Sequence, residues 1–284
     1  CDIILVGDSL GSVLYNYKST RNVTLAMMIE HSKSVKMGIK NSLFVVDMPH
    51  NTYRNNKEAL KNAKKIITKT KCDAVKLEGG NKIINIIRYL IKNKIPVQGH
   101  LGLLPQSQKG KFRYKGKSLT ERNRILKDAK LLETAGVFSI VLECVETSLA
   151  KLITETLSIP TIGIGASHFC DGQVLVIDDL IGLNQINARF VKKYSNIKKV
   201  INSAVSKFAQ DVKKKNFPKK KSTSVIKCIV AIDQQDHKDL NFYGIPTFNL
   251  DDDYDYLFSH HSIGQIWIVS SVKMQSHLEK LIDK

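Results

Sequence analysis

A chain of 284 residues, 43% hydrophobic and 25% charged, has enough apolar material for one large α/β domain with room for a small appendage, so intrinsic disorder is not expected. The formal charge of +18, from 44 Lys+Arg against 26 Asp+Glu, does not by itself mark a nucleic-acid or membrane binder. The lysines are spread over helix candidates without interleaved aromatics, so no nucleic-acid or membrane partner is expected.

The first two-thirds of the chain alternate short β-branched runs with longer amphipathic ones. Ile3–Val6, Leu43–Val46, Ala74–Leu77, Pro96–Gln98, Ser139–Leu142, Thr161–Ile164 and Val174–Ile177 read as buried strands. Between them Asn56–Thr68 puts Leu60, Ala63 and Ile67 on one helical face, and Lys82–Lys92 and Leu119–Ala135 show the same spacing. Such a β-α alternation implies a parallel sheet, either doubly wound or closed into a barrel. A lysine-rich linker follows around Lys213–Ser224. Beyond it come a strand (Ile226–Ile232), a turn at Gly244-Ile245-Pro246, a helix start at Asp251–Asp255, a strand (Ile266–Val269) and a last helix. The expected division is therefore a barrel-like domain over 1–221 and a small α/β appendage over 222–284.

The cysteines at 1, 72, 144, 170 and 228 form no C-x-x-C pair and are odd in number, so neither a zinc cage nor a disulfide framework is expected. A reducing cytoplasm suits them. No apolar run reaches the roughly 18 residues that span a bilayer. The chain opens on Cys1 inside an apolar strand without an initiator Met, and so reads as a fragment.

Polar residues gather where the strands end. IILVG leads into Asp8 and Ser9, LFVV into Asp47, AVKLE carries Lys76 and Glu78, PVQG ends at His100, and SIVL ends at Glu143. A parallel barrel collects these ends on one face, where its active site lies. So many ionisable groups are buried together only if they serve one another or a ligand. Asp8, Asp47 and Glu78 offer the hard oxygen donors that Mg2+ takes. Singly, a strand-end Asp is as readily a cap or turn residue. Lys76 shares a strand face with Glu78 and suits an anion anchor, the alternative being a simple Lys–Glu pair. Glu143 follows a wholly apolar run whose burial would raise its pKa toward acid–base duty; capping the next helix, from Glu146 onward, is its alternative. His100 fits a core histidine as well as a site residue. Gly163 and Gly165 could present backbone amides to an anion, although no dinucleotide fingerprint is present.

The segments LVGDSLG, Ser19–Thr24, VVDMP, VKLEGG, GHLGLLPQS, LECV and IGIGA-x-x-x-CDGQVLV-x-x-DL-x-GL, in that order, resemble the ketopantoate hydroxymethyltransferase family over about Asp2 to Pro218. The resemblance implies a (β/α)8 TIM-type barrel, here lacking its first strand and helix. It also implies transfer of a hydroxymethyl group from 5,10-methylenetetrahydrofolate to 3-methyl-2-oxobutanoate, giving 2-dehydropantoate for pantothenate and coenzyme A synthesis. By the same resemblance Asp8, Asp47 and Glu78 bind Mg2+, Asp8, Ser9, Asp47 and Lys76 bind the 2-oxo acid, Glu143 is the proton acceptor, and the enzyme is a cytoplasmic homo-oligomer. Lys18 and Asn22 depart from the family's acidic residue and proline, and Lys109–Lys117 replaces a glycine-rich loop, which implies tuned or weakened activity. Another Mg2+-dependent 2-oxo-acid barrel enzyme, such as a carbon–carbon lyase, and a non-catalytic remnant are the alternatives. The tail weakly resembles part of a Rossmann-like CoA-binding-type domain without its Gly-rich half.

Overall fold

Seven short runs pair side by side in chain order. They are β1 (Ile3–Val6), β2 (Leu43–Asp47), β3 (Ala74–Glu78), β4 (Val97–Gly102), β5 (Ser139–Glu143), β6 (Thr161–Ile164) and β7 (Gly172–Gln173). Every adjacent pair is parallel. Parallel strands need crossovers, and helices supply those from β1 to β6: α1 (Leu10–Val13), α2 (Leu25–Gly38), α3 (Asn56–Thr70), α4 (Ile84–Lys92), α5 (Leu119–Ala135) and α6 (Thr147–Thr156), while β6 and β7 are joined by a loop and α7 (Ile177–Leu180) follows β7. The result is an α/β fold with seven parallel strands in one sheet, in the sequential strand order of a TIM-type barrel. The computed structural model describes residues 1–107, 113–184 and 188–218. It divides the chain into two units, Cys1–Asn196 and Ile197–Lys284, of which the second begins with α8 (Ile197–Lys213).

Covered on both faces, these strands can be apolar along their whole length, and Phe44, Val75, Leu77, Ile140 and Leu142 are fully buried between sheet and helices. Helix ends are signalled locally. Ser118 accepts the Glu121 N–H at the start of α5, while the Glu121 carboxylate takes the Gly116 N–H. Gly136 closes that helix at φ 96°. Asn55 caps α3 by accepting the Glu58 N–H, and Thr24 caps α2 by accepting that of Met27.

Most expected strands and the three expected helices are present, several a residue or two longer; β4 runs four residues past the expected end at Gln98, and α4 starts two residues after Lys82. Val174–Ile177 is not a strand. The ladder lies two residues earlier, at Gly172–Gln173, and ends as Val174 N–H reaches the Gly163 carbonyl; Ile177 already starts a helix whose first turn carries Asp178 and Asp179. His100 falls inside β4 rather than after it. The helices α2 and α8 have no counterpart among the expected elements. The expected elements from Ile226 onward lie outside the described residues. Cys1, Cys72, Cys144 and Cys170 are free thiols.

Candidate active site

The carboxyl ends of β1 to β5 carry the site. Register sets Asp47 beside Lys76 and Glu78 beside His100, so the polar side chains of β2, β3 and β4 meet at one level. Lys76 Nζ lies 2.8 Å from Asp47 Oδ1 and 3.4 Å from His100 Nδ1. His100 Nδ1 is 3.6 Å from Glu78 Oε1, and its Nε2 is 3.2 Å from Glu143 Oε2. Asp8, two residues past β1, donates its backbone N–H to Asp47 Oδ2 at 3.1 Å. Asp8, Asp47, Lys76, Glu78 and His100 are all buried; Gln98, the register partner of Lys76, hydrogen-bonds Ser139 across β4 and β5.

Glycine shapes the wall. Gly102 holds φ 95°, and a Cβ there would stand 2.2 Å from the Glu143 carbonyl oxygen, so only glycine lets β4 run this close to β5. Gly80, just past Glu78, is closed by Asp128 of α5, whose Cγ would lie 2.2 Å from an added Cβ and whose carboxylate takes the Asn81 N–H.

A second set of groups closes the pocket from the loops. Gln106, buried after β4, donates its side-chain amide to Asp8 Oδ2 at 2.8 Å and to the Met48 carbonyl at 3.0 Å. Its backbone N–H donates to Glu78 Oε2 at 3.1 Å. Tyr53 donates its hydroxyl to the Gln106 side-chain oxygen, and Arg21 Nε donates to the Gln106 carbonyl at 2.8 Å.

Electrostatics follow from three acids crowded around one lysine. Burial, with Asp47 beside it, raises the Asp8 carboxyl to about 7. Burial likewise raises Glu78 to about 8, against the pull of Lys76. Burial alone would discharge Lys76, but Asp47, Glu78 and Asp8 outweigh it, and the ammonium is held charged. Burial, and then Lys76, lowers the pKa of His100, so the imidazole is neutral. Burial and nearby Glu78 push the Tyr53 phenol up, which keeps it a donor.

Asp8, Asp47, Lys76, Glu78, His100 and Glu143, each singled out from sequence, are brought together; Ser9 sits next to Asp8 as the residue preceding α1. One expectation and two alternatives need correction. Lys76 pairs most closely with Asp47 on the neighbouring strand, not with Glu78, because parallel register sets those two abreast. Glu143 is only partly buried, with its side chain 19% exposed, because the strand ends as the carboxylate reaches the pocket mouth. Capping falls to Glu146, which accepts the Leu149 N–H of α6. Gln106, Tyr53 and Arg21 were missed; all three are polar residues in loops, where polar residues carry no signal.

The donor set suits a hard divalent cation. Three buried carboxylates face a single ammonium, and Asp47 Oδ1, though in ionic contact with Lys76, has no aligned hydrogen-bond donor. Among the described residues no three His, Cys, Asp or Glu groups form a ready-made cage. Mg2+ is commonly held by one or two carboxylates, its own waters and substrate oxygens.

A parallel barrel-type α/β fold with a buried acidic cluster at the carboxyl ends of its strands has the architecture of enzymes that work on small molecules. The ketopantoate hydroxymethyltransferase family model matches residues 1–220. A 3-methyl-2-oxobutanoate hydroxymethyltransferase from Pelagibacter ubique is 72% identical over 221 residues, which cover 78% of this chain and 86% of that one. One from Saccharolobus solfataricus is 49% identical, covering 77% and 83%. Among solved structures, a 2,3-dimethylmalate lyase of the PEP mutase/isocitrate lyase superfamily aligns at 10% identity with a TM-score of 0.47, over 94% of this chain and 87% of its own. The chain belongs to the ketopantoate hydroxymethyltransferase family and is a transferase.

Proposed function

We propose that this enzyme transfers a hydroxymethyl group from 5,10-methylenetetrahydrofolate to 3-methyl-2-oxobutanoate, giving 2-dehydropantoate for pantothenate synthesis. The observation that carries this reading is the buried group of Asp8, Asp47 and Glu78 around Lys76, joined through His100 to Glu143. Family membership supports the reaction, and the geometry is in keeping with a part for each residue.

Asp8, Asp47 and Glu78 would hold Mg2+, which bound there supplies Lewis acidity toward the 2-oxo acid and so acidifies its C3–H bond. Lys76, kept charged by its acidic neighbours, anchors the substrate carboxylate, and Ser9 and Asp8 orient the rest of the molecule. Glu143, at the pocket mouth and 3.2 Å from the neutral His100, is the base that takes the C3 proton; a positioned base typically contributes about 10²–10⁴-fold. The deprotonated carbon then bonds to the methylene carbon of the folate, and both carbon–nitrogen bonds to that carbon break. Water supplies the product hydroxyl, and tetrahydrofolate leaves with one proton from C3 and one from that water.

Residues 1–221 form the catalytic domain in this reading, in keeping with the family match, and 222–284 are a small appendage. The enzyme works in the cytoplasm as a homo-oligomer. Among the described residues no helix is long and apolar enough to cross a membrane.

The test is turnover by the purified chain with Mg2+, 3-methyl-2-oxobutanoate and methylenetetrahydrofolate, with Glu78→Ala alongside. Formation of 2-dehydropantoate that is lost in the variant supports the reading. A folded wild-type chain that makes no product overturns it.

A further inference from the structure

We infer that Gln106 is a positioning residue for the cation site, holding the Asp8 and Glu78 carboxylates in the orientation that a hard divalent ion requires. The inference rests on the proposed role of those carboxylates. It is carried by a convergence of hydrogen bonds on one buried loop residue. The Nε2 amide donates to Asp8 Oδ2 and to the Met48 carbonyl, and because that carbonyl can only accept, the amide nitrogen must face it. Tyr53, donating to the other end of the amide, fixes that orientation further. The backbone N–H of the same residue reaches Glu78 Oε2, and its carbonyl is held by Arg21.

A residue that served only to pin the loop after β4 would not need to touch two site acids. Gln106 does so with two different donors, and those acids come from different strands, Asp8 beyond β1 and Glu78 at the end of β3. For Glu78 the bond takes up Oε2, leaving Oε1 turned toward His100 and the interior of the cluster. Donors of this kind orient ligating carboxylates, and their loss typically costs about 10–100-fold in metal affinity. The buried amide also offsets part of the cost of gathering negative charge before an ion arrives.

Calorimetric titration of Mg2+ into the full chain tests the inference, using wild type, Gln106→Met, Tyr53→Phe and Glu78→Ala, with melting temperatures in EDTA recorded in parallel. Gln106→Met is expected to weaken Mg2+ by about 10–100-fold. Tyr53→Phe, which keeps the amide but frees its rotation, is expected to weaken it less, and it carries the test if Gln106→Met does not fold. At saturating Mg2+ the kcat of Gln106→Met should largely recover while the Mg2+ requirement stays raised. A lower melting temperature with an unchanged Mg2+ affinity would make Gln106 a loop anchor and overturn the inference. Tighter binding would overturn it too, by showing that the amide competes with the ion. If wild type binds and Glu78→Ala does not, an unaffected Gln106→Met sinks this inference alone; if wild type itself does not bind Mg2+, the cation site falls with it.

Discussion

Lys76 pairs with Asp47 and lies within the electrostatic reach of Glu78 and Asp8, and these acids hold it charged. Replacing it by Met leaves Asp47 without its ion-pair partner and Asp8 and Glu78 without their nearest opposing charge. Removing one partner of a buried ion pair costs about 3–5 kcal/mol, so Lys76→Met should lower stability by that order in urea unfolding near neutral pH without metal. It should also raise KM for the 2-oxo acid more than an equally destabilising change elsewhere in the core, because the anion anchor is lost. An unchanged KM would remove Lys76 from substrate binding. This cluster was legible in the sequence because each member interrupts or ends an apolar run, where an ionisable group is anomalous. Gln106 and Tyr53 were not legible for the opposite reason: in loop sequence a buried, fully bonded amide looks like any solvated one, and only the fold shows which acids it touches.

At the scale of elements the strands were readable as far as their periodicity went. β1, β6 and α5 keep their expected bounds, because β-branched runs and a Ser118–Glu121 capping pair state both ends locally. β7 was misplaced because an apolar run, VLVI, sits just after the two residues that pair, and pairing is decided by the neighbouring strand rather than by local propensity. α2 was passed over because Leu25, Met27, Met28 and Ile29 crowd its first turns instead of spacing evenly along it. The contact between β4 and β5 yields a prediction. An alanine at Gly102 must adopt φ 95° and press its Cβ against the Glu143 carbonyl. Strain of about 1–3 kcal/mol is expected from the backbone alone. Relief by moving β5 would carry Glu143 off its position, so Gly102→Ala should lower kcat as well as the melting temperature. If kcat is retained at a temperature where the variant is fully folded, the base is not positioned by this contact.

For the whole molecule, the site is a destabilising feature that the fold tolerates, and pH exposes it. Asp8 and Glu78 titrate at about 7 and about 8 in the folded chain, against ordinary values of 3.8 and 4.5. Protons are therefore bound more tightly by the folded chain than by the unfolded one. The two groups contribute their full stability below the unfolded values and lose it as pH rises through about 7 to about 8. Over that interval the metal-free chain takes on buried negative charge with only Lys76 to oppose it. A cation held by the same carboxylates must displace those protons, so its affinity rises where metal-free stability falls. In EDTA these two acids should lower the urea midpoint between about pH 6 and about pH 9, and Mg2+ should raise the midpoint more at the alkaline end. Glu78→Gln, which cannot ionise, should flatten the metal-free slope and reduce the response to Mg2+ together. A Mg2+ increment equal at both ends of the range would mean that ion and proton do not compete, and the carboxylates would then not be where the ion binds.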